Sequence, residues 1–397
     1  MRRIAAVTLT IIVAACQLFR LPALIDVVRN EAPLTGSLQY PPAHVVFAPL
    51  TLLADHLNGG NRAELIGFFA WTLLVYAAAR LMGPRLSRWR EVYAAAALAA
   101  GLAAFSAWLV YAPRSIPRFD AGGPDALVFD THTHSAASRD GRPGFNVAAN
   151  AAWHQRAGFH AAFLTDHNVY GAAPQWRLER DSSAVRMLDG EELSLRGLHL
   201  IVLGNTSRIS NAPWNDHWDS TLALIGMLAR SPDRPYLIAS LPEYYRYHWG
   251  EDISRLVAAG VEGFEIWTTS PKGMEIPDSA RREVVERAVL QGNRLFGATD
   301  MHGIGHTATV WNVILLPGWQ AMTDSAITAS LIGAFRSGTG HHTVIARRRY
   351  LPHSKAGSLL AIPLGILTVL RTASIPHALS LIAWIWIVSL LMNRPRH

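Results

Sequence analysis

From Val92 to Ala112 the chain runs for twenty-one residues without a charged side chain. About 20 apolar residues in a helix match the hydrocarbon thickness of a bilayer, and aromatic rings favour its borders. Trp108 and Tyr111 stand near one end of this run. Such a stretch must be buried outright or placed in lipid, so it limits the whole chain to a few architectures. Residues 65–82 form a second run, with Arg80 close enough to its end to reach the interface. Residues 4–19 are apolar but short, and read as an uncleaved anchor. A lipoprotein-like alternative remains, because Val13-Ala14-Ala15 precedes Cys16. Residues 44–54 are too short to span, are closed by Asp55 and His56, and read as an interfacial or re-entrant piece. Near the other end, 357–370 and 375–392 are apolar with Arg371 between them, which predicts a hairpin of two spans; Trp384 and Trp386 read as packing residues.

The expected organisation is therefore an N-terminal membrane region at 1–121, a soluble domain at 122–350 and a C-terminal membrane hairpin at 351–397. Composition agrees: half of the 397 residues are hydrophobic and 16% are charged, against about 25% in an ordinary soluble domain. The net charge of +7 comes largely from arginines beside the apolar runs, among them Arg85, Arg88, Arg90 and Arg347 to Arg349. That placement suits membrane borders and gives no strong sign of nucleic-acid duplex binding. A single cysteine, Cys16, excludes a disulfide framework and a thiolate metal site. The expected location is integral to a membrane, the bacterial cytoplasmic membrane, with the lipid bilayer as partner. Which side the soluble domain faces stays open: the arginines at 80–90 argue one way, and Arg347 to Arg349 with Lys355 argue the other.

After Gly122-Gly123-Pro124 the pattern changes to short apolar runs separated by helical stretches. Strands are expected at 126–130, 161–165, 185–189, 198–203, 236–240, 263–267 and 294–299, which suggests βαβ units around a parallel sheet or barrel. Potential metal ligands gather at the ends of these runs. The first leads into Asp130-Thr131-His132-Thr133-His134-Ser135, and alternation along a strand puts His132 and His134 on one face. Ser138-Arg139-Asp140-Gly141 follows; the second run ends Thr165-Asp166-His167-Asn168, and the third continues Asp189-Gly190-Glu191-Glu192. The fourth carries His199, and the seventh ends Thr299-Asp300-Met301-His302. Ligands converging from the C-terminal ends of parallel strands are how barrel enzymes build active sites, and histidines with carboxylates suit Mn²⁺, Fe²⁺ or Zn²⁺.

In this order the segments resemble the PHP (polymerase and histidinol phosphatase) family of metal-dependent phosphoesterases, over about residues 125–345. The resemblance implies an α/β fold, a distorted (β/α)₇ TIM-like barrel, holding two or three divalent ions, here flanked by transmembrane helices. Carried over position by position, it implies one ion on His132, His134, Glu192 and Asp300. A second would share Glu192 and use His199, and a third would use Asp140, His167 and His302. Glu191 is the fallback for Glu192. The pattern departs where a histidine is expected before a proline, because the chain reads Leu241-Pro242. Glu243, His217 and His248 are the candidates to replace that ligand, each also readable as a surface residue.

The implied activity is hydrolysis of a phosphate ester through a metal-bridging hydroxide. Asp130 and Asp166 are expected to orient ligand imidazoles, and Arg139 and Arg142 to meet a phosphate or to lie in solvent. His154 and His160 read as structural, Asp189 as a turn former, and His306, His341 and His342 as lying outside the site. The substrate would be a small phosphorylated molecule: a nucleotide, a sugar phosphate or a lipid head group. The aromatic cluster at 244–249 suits either packing or stacking on such a molecule. Two other readings stand beside this one: a metal-dependent amidohydrolase-like enzyme, and a non-catalytic membrane receptor or scaffold that binds a phosphorylated ligand.

Overall fold

A computed structural model describes residues 2–83, 87–179, 185–240, 251–270, 276, 278–305, 307–351 and 360–392. The first 120 residues supply helices α1 (Arg2–Leu18), α2 (Pro42–Val46), α3 (Ala48–Asn58), α4 (Arg62–Met82) and α5 (Arg88–Tyr111), with short strands β1 (Leu24–Asp26), β2 (Ser37–Gln39) and β3 (Arg118–Asp120). α4 begins at Asn61, whose side chain accepts the Glu64 amide, and the apolar residues then follow without interruption. Residues 44–54 form no single apolar segment. α2 and α3 meet at Phe47 with Pro49 in the first turn of α3, and Asp55 and His56 are buried rather than placed at a border.

The centre of the chain forms strands β4 (Ala126–Thr133), β5 (Ala161–Leu164), β6 (Arg186–Leu195), β7 (Leu198–Leu203), β8 (Tyr236–Ala239), β9 (Gly263–Thr268), β10 (Arg294–Ala298), β11 (Val310–Leu315) and β12 (Thr343–Arg347). Helices α6 (Val147–Ala157), α7 (Ala172–Glu179), α8 (Trp218–Ala229), α9 (Glu251–Ala259), α10 (Asp278–Leu290) and α11 (Asp324–Ser337) lie between them. Ten strands form one sheet in the order β1-β12-β11-β4-β5-β6-β7-β8-β9-β10. The seven runs expected as strands are β4 to β10. They curl until the segment after β10 meets β4 again: the Asp300 amide donates to the His132 carbonyl at 2.9 Å, and the His134 amide to the Met301 carbonyl at 3.0 Å.

The bottom of this seam is closed by a side chain. Asn312 of β11 donates to the Gly297 carbonyl at 2.6 Å and the Phe129 carbonyl at 3.3 Å, and its oxygen accepts the Gly297 amide at 2.9 Å. It thus stands in for a ladder between β10 and β4. β4 is buried along its whole length, its first half paired antiparallel with β11 and its second half alongside β5.

Among the seven strands β4 to β10, the parallel array is broken in one place, at β7. β6 runs to Leu195, turns at Arg196-Gly197 with Gly197 at φ +73°, and pairs antiparallel with β7, which pairs antiparallel with β8. A parallel crossover needs a dozen or more residues, and the gap between the runs at 185–189 and 198–203 is too short for one.

The chain ends in α12 (Ala361–Thr372) and α13 (Ile375–Met392). Among the described residues, three helices are long and apolar enough to cross a membrane: α4, α5 and α13. The expected hairpin at 357–370 and 375–392 falls on α12, with 12 residues against the roughly 20 a crossing requires, and α13, with 18; 357–359 lie outside the described residues. α1, at 17 residues, is at the short end of that range, and Cys16 is buried within it. α1 packs against α12 and α13, α13 against α2 and α3, and α12 against α3 and α4, so the two ends of the chain share one bundle.

Bundle and sheet are tied by charge. β1 pairs antiparallel with β12, and the Arg347 and Arg114 guanidiniums reach Asp55 at 2.8 and 2.6 Å. His44 bonds Asp55 at 3.0 Å, and Arg349 pairs with Glu64 at 2.5 Å. Burial works against charge on Asp55, but Arg347 and Arg114 outweigh it and hold the carboxyl well below its usual range. Taking one partner from such a buried set would leave an uncompensated charge.

Candidate metal centre

The C-terminal ends of β4, β5 and β10, with the middle of β6 and the start of β7, bring eight side chains to one mouth of the barrel. His132 and His134 lie two apart on β4 and face the same way. Their Nε2 atoms stand 2.9 Å apart. Glu192 Oε2 is 3.0 Å from the first and 3.1 Å from the second, and Asp300 Oδ1 is 3.5 and 3.3 Å from them. Bonds of about 2.0–2.2 Å from one ion to nitrogen and oxygen donors imply donor separations of about 3.0–3.5 Å, which this set matches.

The remaining groups continue from there. His199 Nδ1 lies 2.7 Å from Glu192 Oε1, and His167 Nδ1 lies 3.2 Å from Glu192 Oε2. Asp140 Oδ2 is 3.4 Å from His167 Nε2 and 3.2 Å from His302 Nε2. Among the described residues, three overlapping groups could each hold an ion: His132, His134 and Asp300; His167, Glu192 and His199; His134, His167 and His302.

The hydrogen bonds behind these ligands decide what they present. His132 Nδ1 lies 2.7 Å from Glu265 Oε1, so its proton is committed to that carboxylate and its Nε2 lone pair faces Glu192 and Asp300. His134 Nδ1 bonds Ser138 Oγ at 3.0 Å, and Ser138 donates to Asp166 at 3.0 Å, which again leaves Nε2 bare. Lone pairs converging at 3 Å repel unless a proton or a cation sits among them. The same field acts on protons. Burial opposes charge on His132, but Glu192, Glu265 and Asp300 outweigh it and raise its pKa well above the ordinary value. On Glu192 burial is outweighed by His132 and His199, which hold it well below the carboxylate range. His302 is half-buried, which opposes its charge, but Asp300 and Asp140 outweigh this and raise it to about 9. The donor types, spacing and orientation fit a divalent ion.

Backbone conformation adapts to the site. Asp300 adopts φ +47° and Asn168 φ +54°, left-handed positions that Asp and Asn tolerate better than most residues. Gly141 is required sterically: a Cβ there would lie 2.1 Å from the Ser135 carbonyl oxygen, so only glycine lets the loop fold back and bring Asp140 to the mouth.

Other expected residues lie elsewhere. Glu191 points to the opposite face of β6 from Glu192, accepting the Ile209 amide at 3.0 Å and Asn205 at 3.3 Å. Asp166 acts on His134 only through Ser138. Asp130 turns to His154 at 3.0 Å and accepts the Thr299 amide at 3.1 Å, so it braces the turn before Asp300 rather than a ligand imidazole. Arg142 is directed away from the ligands: its guanidinium reaches the Tyr111 and Gly303 carbonyls at 3.4 Å and covers the Tyr111 ring. Arg139 is exposed in the same loop, and His217 is exposed at the cap position of α8, outside every ligand group among the described residues. Leu241, Glu243 and His248, the aromatic cluster around them and His306 lie outside the described residues.

Sequence reasoning missed Glu265, Ser138 and Ser194, whose hydroxyl is 3.1 Å from His167 Nδ1. Glu265 had a readable signal, a lone acid inside the apolar run Gly263-Phe264-Glu265-Ile266-Trp267, fully buried on β9.

No protein-family model and no curated protein matches the chain. Solved structures do. A candidate metal-dependent phosphoesterase from Bifidobacterium adolescentis aligns with 15% identity over 44% of this chain and 87% of its own, at a TM-score of 0.33. A two-domain protein from Bacteroides vulgatus containing a predicted PHP-like metal-dependent phosphoesterase aligns with 13% identity over 48% of this chain and 58% of its own, at 0.34. An amidohydrolase from Chromobacterium violaceum aligns with 17% identity over 48% and 92%, at 0.30. Likeness at this level assigns no family.

Proposed function

We propose that this chain is a membrane-anchored, metal-dependent phosphoesterase. The observation that carries the reading is the approach of four donor atoms, from His132, His134, Glu192 and Asp300, with both imidazoles within 3.5 Å of each carboxylate at the barrel mouth. Those residues would hold one divalent ion, His199 with Glu192 a second, and Asp140, His167 and His302 a third. When bound, such ions supply a nucleophile at neutral pH and the positive charge that offsets a phosphoryl group. Glu265 fixes the tautomer of His132, and Ser138 with Asp166 fixes that of His134. Arg139, exposed beside Asp140, is the cation available to a phosphate.

The proposed anchor is the bundle, with α1, α4, α5 and α13 crossing. Their barrel-proximal ends are the C-termini of α1 and α5 and the N-termini of α4 and α13. The distal ends then carry Arg3, Arg80, Arg88 and Arg90. Arg347 and Arg349 are buried in pairs with Asp55 and Glu64 and do not act as loop charges. We infer from the distal arginines that the distal side is cytoplasmic and the barrel faces outward, with exposed Arg20 and Arg62 at the proximal ends counting against this.

The test is hydrolysis of an aryl phosphate by the full-length protein in detergent with Mn²⁺, Fe²⁺ or Zn²⁺ added. His132→Ala is expected to lower the rate by at least about 100-fold, beyond the range for removing a group that only supports a ligand. Cleavage of an amide probe instead would move the reading to an amidohydrolase. Bound metal with no hydrolysis of either would leave a binding role.

A further inference from the structure

We propose that the substrate is a phosphoester carried by a membrane lipid, met by the rim of the metal centre at the bilayer surface. This rests on the phosphoesterase reading and on α5 crossing the membrane.

The rim that bears two candidate ligands is fastened to the end of α5. The Gly305 amide donates to the Val110 carbonyl at 3.3 Å, and Arg142 bridges the carbonyls of Tyr111 and Gly303 while its guanidinium lies 5.3 Å from the centre of the Tyr111 ring. The Arg142 amide in turn donates to the His302 carbonyl at 2.8 Å. Asp140 and His302 thus stand two and three residues from Arg142 and Gly305, which touch the last turn of a membrane-crossing helix.

That last turn has the chemistry of a lipid interface. Tyr111 is 57% exposed, and Trp108 is half-buried one turn before it. Aromatic rings at the end of an apolar helix sit at head-group level. The loop after His302 puts Ile304 on the surface, 55% exposed, beside this belt. The most exposed of the candidate ligands is Asp140, whose side chain is 56% accessible, so the centre opens on the rim that carries these residues. A substrate dissolved in water would gain nothing from Ile304 and Tyr111 there. A lipid offers apolar chains to those two residues and its phosphate to Asp140, His302 and the ions beside them.

The reaction is hydrolysis: a water oxygen forms the new bond to phosphorus, the bond from phosphorus to the lipid alcohol breaks, and the alcohol leaves with a proton from that water. Full-length protein is reconstituted in phosphatidylcholine vesicles with Mn²⁺ and offered phosphatidic acid in the same bilayer, glycerol phosphate in solution, or an aryl phosphate. Phosphatidic acid should be cleaved at least about tenfold faster than glycerol phosphate at equal phosphate, because both partners share one surface. Ile304→Ser should lower the ratio of lipid to aryl phosphate cleavage. Independently of turnover, a fluorophore on Ile304→Cys in a Cys16→Ser background should be quenched by a head-group quencher, while one on Thr339→Cys, at the opposite end of the barrel, should not.

Cleavage of glycerol phosphate as fast as of the lipid, or an Ile304 label indifferent to the lipid quencher, would overturn the proposal while aryl phosphate cleavage keeps the phosphoesterase reading. Loss of all three activities would remove both.

Discussion

Glu265 illustrates how one buried acid sets the chemistry of a ligand without itself facing the metal centre. Burial raises its pKa, while the His132 bond pulls the other way. One carboxylate oxygen meets His132 Nδ1, and the other accepts the Ser240 hydroxyl at 3.1 Å, which fixes the carboxylate's plane. Glu265→Gln keeps the shape and one hydrogen bond but removes the charge that holds the His132 tautomer. It should weaken metal binding by about 10–100-fold with the fold intact, as read by titrating the metal into chelator-treated protein. An unchanged affinity would show that His132 needs no such support.

At the scale of elements, the seam between β10 and β4 depends on Asn312. Its side chain serves the Gly297 amide and carbonyl, so Asn312→Leu would leave that buried amide unsatisfied and its carbonyl to the Thr131 hydroxyl at 3.4 Å. The expected loss is roughly 2–4 kcal/mol, measured by denaturant unfolding in detergent and followed by the barrel's tryptophans. A loss below about 0.5 kcal/mol would mean that the seam is closed by the bonds around Asp300 alone.

The seven ring strands were legible because each is a short apolar run between turn residues, and the ligands were legible because they follow those runs. Less could be read elsewhere. β11 and β12 are apolar runs like the rest, and nothing local says that they extend the sheet antiparallel to or beyond β4. β1 has three residues, too few for a pattern, and is held by its register on β12. Asp55 read as the end of an apolar segment because its partners, Arg114 and Arg347, are 59 and 292 residues away in sequence. Asp130 read as a ligand's support because it precedes His132, whereas its carboxylate is taken up by His154 and the Thr299 amide.

At the scale of the whole molecule, barrel and bundle are joined at the mouth: β12, the loop after Asp300 and the end of α5 all meet α3 there. The proposed orientation follows from this joint, since it removes Arg347 and Arg349 from the charge comparison. In a Cys16→Ser background in intact cells, Thr339→Cys should react with a membrane-impermeant maleimide, and Ser87→Cys, beyond the distal end of α5, only after permeabilisation. The reverse pattern would put the barrel in the cytoplasm.

The account depends most on imidazole and carboxylate groups from distant strands gripping divalent ions together. Anomalous X-ray scattering from crystals of the full-length protein grown with Mn²⁺ tests that directly. The predicted result is a strong peak among His132, His134, Glu192 and Asp300, with one or two more beside His199 and His302. Crystals with those side chains ordered and no anomalous peak between them would contradict it.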